Sequence, residues 1–345
     1  MSDPSTPRQP SLSVTWQGRD VSRDLAPYLL GLTYADNLSG AADDLTLEIE
    51  DREHRWSKDW RPQTGDTVIA RLQAEPWIST VRDLRLGTFA HDKIRIGGPP
   101  SVVALSCVSA PLASGLRRRK RTRTWSNATL RQIAADVAER AGLSLQWTGA
   151  EGRRYSNRKQ VDRSDLDFLE ELCGEVGRCL KVTEGTIAIF EEHDRDTSTS
   201  IGKISLVGGE VLAWEFDSDD SARYGSCVIS FYDPRSGKTQ RAQFPPAGQT
   251  VDGLDPNGQT LEINLGSDDL GEAADKARAL LRAANRFATS GTLTTRGDPG
   301  LVAGVVFELV DSGGFDGRFV ITKATHRPCA GYVCELQVRR TLEGF

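Results

Sequence analysis

The chain has 345 residues, with 43 Lys and Arg against 48 Asp and Glu and a formal net charge of -5. That mild acidity argues against a nucleic-acid or anionic-membrane binder as a whole. A hydrophobic fraction of 38% with 26% charged residues is that of a soluble globular protein, and the length predicts two or three domains. The longest apolar run, residues 301–307, contains a glycine and stops at Glu308, far short of a bilayer span. The start, MSDPSTPRQP, has no apolar signal core, so residues 1–9 are expected to form a flexible tail on a chain that is cytoplasmic where it is made.

Residues 10–116 read as β. Leu12, Val14 and Trp16 alternate with polar residues, as do Leu30, Leu32 and Tyr34, then Leu45, Leu47 and Ile49, then Val68, Ala70 and Leu72. Period-two alternation turns one strand face to a core and the other to water. Leu84, Leu86 and Phe89 follow, then Ile94 and Ile96, then Val103, Leu105 and Cys107 after the turn Gly97-Gly98-Pro99-Pro100. Short strands at regular spacing predict a sandwich or barrel. A charged insert at residues 51–62, carrying Trp56 and Trp60, interrupts the series.

At residues 117–123 the chain becomes basic, and beyond it the period turns helical. Ser126 or Asn127 is placed to cap a helix with Leu130, Ile133, Ala134, Val137, Ala138 and Ala141 on one stripe and Gly142 at its end. A short strand follows at residues 143–147. A second helix begins at Ser164, with Asp167 three residues on and Leu166, Leu169, Leu172, Cys173 and Val176 buried. A hairpin turns at Glu184-Gly185. Residues 117–192 therefore read as a small α+β module, and the polar stretch 193–200 as a linker. From 201 to 345 β returns around one long helix, 268–287, capped by Ser267, with Asp268 and Asp269 in its first turn. Its stripe includes Ala277, Leu281 and Phe287, and Arg278, Arg282 and Arg286 lie on the opposite side. The fold class is mainly β with an α+β insert.

Chemistry-bearing patterns are few. Arg117, Arg118, Arg119, Lys120, Arg121 and Arg123 form the sharpest local feature. Such a run binds phosphates or pairs with an acidic surface; the acidic chain and the single nearby aromatic, Trp125, favour contact with a neighbouring protein. Glu48 and Glu50 alternate with Leu47 and Ile49 and so face solvent, which removes a paired-carboxylate reading with Asp51 and Glu53. Residues 252–259 resemble a calcium loop but place Gly253 and Asn264 where its first and last ligands belong. Arg296-Gly297-Asp298 is an adhesion-like triplet of the kind chance supplies. The four histidines, His54, His91, His193 and His326, have no ligand spacing, and the six cysteines form no CxxC pair and read as buried hydrophobes. No GxSxG, Walker loop or GxGxxG occurs, so no catalytic residue, cofactor or metal is assigned.

Several segments, in this order, carry a resemblance: PYLLGLTYADNLSGAADDLTLEIEDREHRW with WRPQTGDTV, the basic run before WSNATLRQIAADVAERAGL, QVDRSDLDFLEELCGEVG, and GTLTTRGDPGLVAGVVFELV with GRFVITKATHRPCAGYVCELQV. The chain resembles the phage late control gene D family, the baseplate hubs of contractile tails. The resemblance implies two tail-tube-like β-barrel domains and a small LysM-like domain between them. These would be residues 10–116, which strands from 201–232 would help complete, 117–192, and 201–345. It further implies a homotrimer that joins a hexameric tail tube to a trimeric central spike. Its partners would be the tail tube protein, the central spike protein and neighbouring baseplate proteins, with no specific nucleic-acid binding and no membrane insertion. The hub would assemble in the host cytoplasm and end in the virion. Trp56 and Trp60, with the basic run, then become candidates for docking on a neighbouring subunit. The alternatives are a tail-associated cell-wall hydrolase and the hub of a contractile bacteriocin or type VI-like injection machine.

Overall fold

The fold is that of a computed structural model, which describes residues 9–109, 115–117, 119–152, 154–183, 185–219, 223–233, 237–245, 259–264 and 270–342. The first part holds β1 (Ser11–Trp16), β2 (Arg19–Asp20), α1 (Ser22–Leu25), β3 (Leu29–Asn37), β4 (Asp44–Glu50), β5 (Thr67–Gln73), β6 (Asp83–Gly97) and β7 (Val102–Val108). The alternating residues behave as their period requires: Leu45, Leu47 and Ile49 of β4 and Val68 and Leu72 of β5 are fully buried. They share one core with Leu32, Tyr34, Phe89, Val103 and Leu105. Each such aliphatic side chain contributes about 1.5–3 kcal/mol by leaving water.

The middle part holds β8 (Lys120–Thr129), α2 (Leu130–Ala141), β9 (Ser144–Trp147), β10 (Arg154–Ser164), α3 (Asp165–Glu175), β11 (Arg178–Thr183) and β12 (Thr186–Glu191). β8 and β10 form an antiparallel ribbon, and β9, β12 and β11 a three-stranded sheet. The helices pack their apolar stripes into one core, with Ile133, Val137, Leu169, Ile187 and Ile189 fully buried. Two details differ from the sequence reading. The cap of α2 is Thr129, not Ser126 or Asn127: its Oγ1 accepts from Gln132 N at 3.2 Å while Gln132 Oε1 accepts from Thr129 N at 2.9 Å. That reciprocal pair satisfies two end donors at once, and Ser126 and Asn127 stay in β8. The helix does end at Gly142, in the left-handed region at φ 68. Ser164 caps α3 by accepting from Asp167 N at 3.1 Å.

The stretch 193–200 is not merely polar chain: it carries most of helix α4 (Glu192–Asp196) and opens β13 (Ser200–Ser205). Then come β14 (Val211–Ser218), β15 (Ser226–Asp233), β16 (Lys238–Phe244), β17 (Thr260–Asn264), α5 (Leu270–Asn285), β18 (Thr289–Arg296), β19 (Val306–Val310), β20 (Gly317–Arg327) and β21 (Val333–Arg340). The expected cap at Ser267 with Asp268 and Asp269 lies outside the described residues, as do residues 246–258. Phe287, expected on the buried stripe of α5, lies beyond the helix end and is half exposed.

One sheet runs through the molecule in the order β14-β18-β21-β20-β3-β4-β7-β6-β5-β1-β2, and β19 joins β20 to β13. The join is the antiparallel pairing of β20 with β3, from Lys323 opposite Asn37 to His326 opposite Tyr34. Two cores line this sheet, the first around β4 and β5 and the second around Phe307, Phe319, Ile321 and Leu336. β13 and β14 pair with β19 and β18, not with β1–β7. β15, β16 and β17 form a separate sheet whose Cys227 and Ile229 pack on Ala277 and Leu281 of α5.

Candidate functional site

Half of the basic run, Lys120, Arg121 and Arg123, is spent within its own module. These three lie on β8, where the ladder to β10 sets Lys120 opposite Ser164 and Arg123 opposite Gln160. Lys120 reaches Asp162 at 3.2 Å on the surface. Arg121 pairs at 3.1 Å with the buried Asp165, which also accepts from Gln160 Nε2 at 3.0 Å. Arg123 pairs at 3.1 Å with Asp136, which accepts from Trp125 Nε1 at 2.9 Å. Trp125 stacks on Phe168 at 5.2 Å, and the Arg123 guanidinium lies 5.1 Å from its ring centroid. Arg117 and Arg119 are exposed and make no ion pair with a described residue. Arg118 lies outside the described residues.

Trp56 and Trp60 sit on turns at residues 51–62, with no helix. The buried Asp51 organises them: its carbonyl accepts from His54 N at 3.0 Å and its Oδ1 from Trp56 N at 3.3 Å. Trp56 meets Trp60 edge to face at 5.9 Å and Trp16 at 6.4 Å, and the Arg55 guanidinium covers Trp60 at 5.0 Å. Trp16 is fixed in turn by Asp66, whose Oδ2 accepts from its Nε1 at 3.2 Å. Burial pushes the Asp66 carboxyl up, but hydrogen bonds from Gln17, Gln63 and Trp16 and the His91 charge outweigh it and hold it below its ordinary value. Between Trp16, Tyr28, Trp56 and Trp60 opens a groove of about 310 Å3, rimmed by Arg19 and Asp24. The basic run and the tryptophans are on different elements, and among the described residues no hydrogen bond, ion pair or ring contact joins them.

Three polar locks that composition and spacing did not single out hold the parts of the chain against one another. In the first, Asp36 of β3 accepts from Lys181 Nζ of β11 and, through Oδ2, from Ala303 N at 2.8 Å, touching all three parts of the chain. Lys181 also reaches Asp43 at 3.3 Å. Burial pushes the Asp43 carboxyl up to about 6 against the pull of Lys181, and the nearby Asp36 charge adds to the rise. In the second, the fully buried Asp298 accepts from Trp77 N at 3.0 Å, Ile78 N at 2.7 Å and Ser79 N at 2.8 Å. In the third, Arg339 pairs with Glu192 at 3.0 Å and Asp196 at 2.9 Å, and Arg282 pairs with the same two carboxylates. Arg282 is therefore buried and not on the solvent side of α5; a guanidinium is tolerated there because two carboxylates neutralise it. The legible signals were a carboxylate in each of β3 and α4 and an Asp-Pro-Gly turn, none of which names its partner.

His326 is fully buried, stacked at 5.8 Å on Tyr34, with Nδ1 2.7 Å from the Tyr332 hydroxyl. Burial pushes its pKa down to about 4, so the ring stays neutral and shares a hydrogen bond with the Tyr332 hydroxyl. Cys334, 3.3 Å from the same nitrogen, is pushed up to about 12 by burial and is a packing thiol. Among the described residues no group of three or more His, Cys, Asp or Glu could hold a metal ion, and no helix is long and apolar enough to cross a membrane.

The chain is mainly β, braced by buried ion pairs. The family model described as phage tail baseplate hub (GPD) matches residues 107–328. The chain belongs to this family, in agreement with the resemblance carried by its sequence segments. It is 22% identical over 242 residues to the probable baseplate hub protein of Escherichia phage 186, covering 69% of this chain and 60% of that protein. The chain thus spans less than two thirds of that relative's length. Two solved structures share the fold. The 43 kDa tail protein of prophage MuSo2 from Shewanella oneidensis aligns with a TM-score of 0.70 at 16% identity, covering 96% of this chain and 98% of that one. The tail protein of Neisseria meningitidis MC58 aligns with a TM-score of 0.70 at 13% identity, covering 96% of each.

Proposed function

We propose that the chain is the structural hub of a contractile tail, a homotrimer that adapts a hexameric tube to a trimeric central spike. In this reading the β units at residues 10–116 and 201–345 are tube-like barrels, and 117–192 is a LysM-like insert. Three chains with two such units each offer six similar faces on one side and threefold symmetry on the other. An adaptor of this kind requires its two units to keep a fixed angle. The observation that carries the reading is the β3–β20 pairing, which runs one sheet through both units.

The partners are the tube protein, the spike protein and neighbouring baseplate proteins, met in the host cytoplasm and retained in the virion. The exposed Arg117 and Arg119 meet an acidic patch of one of them, while Lys120, Arg121 and Arg123 brace the strand that follows. Trp56 and Trp60 belong to a second contact. The role is mechanical and involves no catalytic step, cofactor or metal. Native mass measurement of the chain with its spike protein tests this: three hub chains per three spike chains is the expected stoichiometry. A stable complex of any other ratio contradicts it.

A further inference from the structure

The two β units repeat one design. In chain order the first contributes β1, β3, β4, β5, β6 and β7, and the second β13, β14, β18, β19, β20 and β21. Their sheets run β3-β4-β7-β6-β5-β1 and β14-β18-β21-β20-β19-β13, so each strand holds the same place in sequence and in space. They depart at the last strand, where β1 runs antiparallel to β5 and β13 parallel to β19. Two bulges coincide as well. Leu30 is the extra residue between β3 and β4, and Leu212 that between β14 and β18. Asp92 is the extra residue between β6 and β7, and Thr322 that between β20 and β21. Bulges pin register, so the matched pairs align the units residue by residue. Ala35 corresponds to Asp217, Asn37 to Asp219, and Lys93 to Lys323.

Within one chain the units meet where β3 lies along the end of β20, from Lys323 opposite Asn37 to His326 opposite Tyr34. The counterparts of these two edges are unused among the described residues. β14 ends the sheet, and no backbone bond reaches its outer edge. β5 and the turn before it occupy their side of β6 only as far as His91. From Lys93 to Gly97, β6 is bonded on the β7 side alone. We propose that β14 of one protomer pairs antiparallel with residues 93–97 of β6 in the next, repeating the β3–β20 junction between chains.

Carried over from that junction, the register places Arg95 opposite Asp217, Lys93 opposite Asp219 and Ile96 opposite Phe216. The charges are complementary, and opposite charges that face each other across a ladder stabilise it. Lys93, Arg95 and Asp217 are exposed and make no ion pair with a described residue. Ile96 is 45% exposed, an apolar edge residue that the junction covers. Pairing β14 with a second β14 sets acid against acid, so the two edges select each other. A contact between unlike edges is heterologous, and it closes a ring when its rotation permits. The inference rests on the trimer reading and names the surfaces that close it.

Cross-linking tests it. Full chains carrying Arg95→Cys and full chains carrying Asp217→Cys are mixed, assembled with the spike protein and treated with a short bismaleimide, while native mass measurement counts the hub chains. Directly opposed residues lie about 4.5–5.5 Å apart at Cβ, within its reach. Covalent hub dimers are expected from the mixture and not from either variant alone, and a chain carrying both changes is expected to give covalent trimers. Charge supplies an independent readout. Arg95→Asp or Asp217→Arg is expected to raise the hub concentration at half assembly by about tenfold or more, since the like charges recur at every junction, and the two swaps together to restore it. A three-chain complex without cross-links, or a link within one chain, overturns the proposed surfaces and leaves the trimer reading in place. Absence of a three-chain complex overturns both.

Discussion

Asp298 grips Ser79 twice: its Oδ2 accepts from the Ser79 backbone N at 2.8 Å and its Oδ1 from the Ser79 hydroxyl at 2.5 Å. The two residues are 219 positions apart, and the same carboxylate also accepts from Gly300 N at 2.8 Å. One buried side chain thus ties the β5–β6 connection to the turn after β18. A buried donor that loses its partner costs about 1–3 kcal/mol. Asp298→Ala strands several at once and is expected to lower unfolding stability by at least about 3 kcal/mol. Ser79→Ala, which leaves the four backbone bonds to Asp298 in place, should cost about 1 kcal/mol. Urea denaturation midpoints compare the two; equal, small losses would contradict the account.

The sequence marked Arg296-Gly297-Asp298 only as a chance triplet, and the reason is physical. A carboxylate that serves distant backbone donors leaves no local pattern. β4 and β5 were legible because a strand with one buried face must alternate. β10 was not, since a ribbon strand with most of its residues exposed is held by its ladder to β8 and needs no apolar face. Arg282 misled for a related reason: helical periodicity puts it opposite Leu281, but Glu192 and Asp196 meet it there and keep it buried.

The Arg339 quartet supplies a second prediction. Arg339 is completely buried between Glu192 and Asp196, carboxylates that also hold Arg282. Arg339→Ala leaves excess negative charge in a low-dielectric site and is expected to cost about 3–5 kcal/mol. The Arg339→Ala, Glu192→Ala double variant should lose clearly less than the sum of its single changes. Additive losses in the double-mutant cycle would contradict direct coupling.

His326 and Asp43 titrate in opposite senses. The His326 pKa falls from 6.5 to about 4 on folding, so the unfolded chain binds the extra proton between those values. Its contribution to stability is present above 6.5 and is lost as pH falls toward 4. Asp43 rises from 3.8 to about 6, so the folded chain holds the extra proton there, and its contribution is lost as pH rises through that window. The two slopes oppose each other in the wild type. His326→Leu is expected to leave stability that falls from pH 4 to 6, and Asp43→Asn stability that rises from pH 4 to 6.5. Thermal unfolding across this range reads both signs; slopes in the same direction would contradict the assignment.

The basic run should divide into two groups. Arg121→Glu places a like charge against the buried Asp165 and is expected to destabilise the chain by about 3 kcal/mol, while Arg123→Glu, against the partly exposed Asp136, is expected to cost about 1 kcal/mol. Arg117→Glu with Arg119→Glu meets no described carboxylate at ion-pair distance and is expected to shift stability by less than about 0.5 kcal/mol. That surface pair should instead weaken assembly with a partner, in a salt-dependent way. Calorimetry on all three variants separates the groups.

In the proposed hub, three of these chains close a ring whose two β units per chain present six similar faces. Electron microscopy of the chain assembled with its tube and spike proteins tests it most directly. Class averages at the level of the chain are expected to show threefold symmetry with six β lobes toward the tube. A ring of any other order, or a single copy bound off the tube axis, would contradict it.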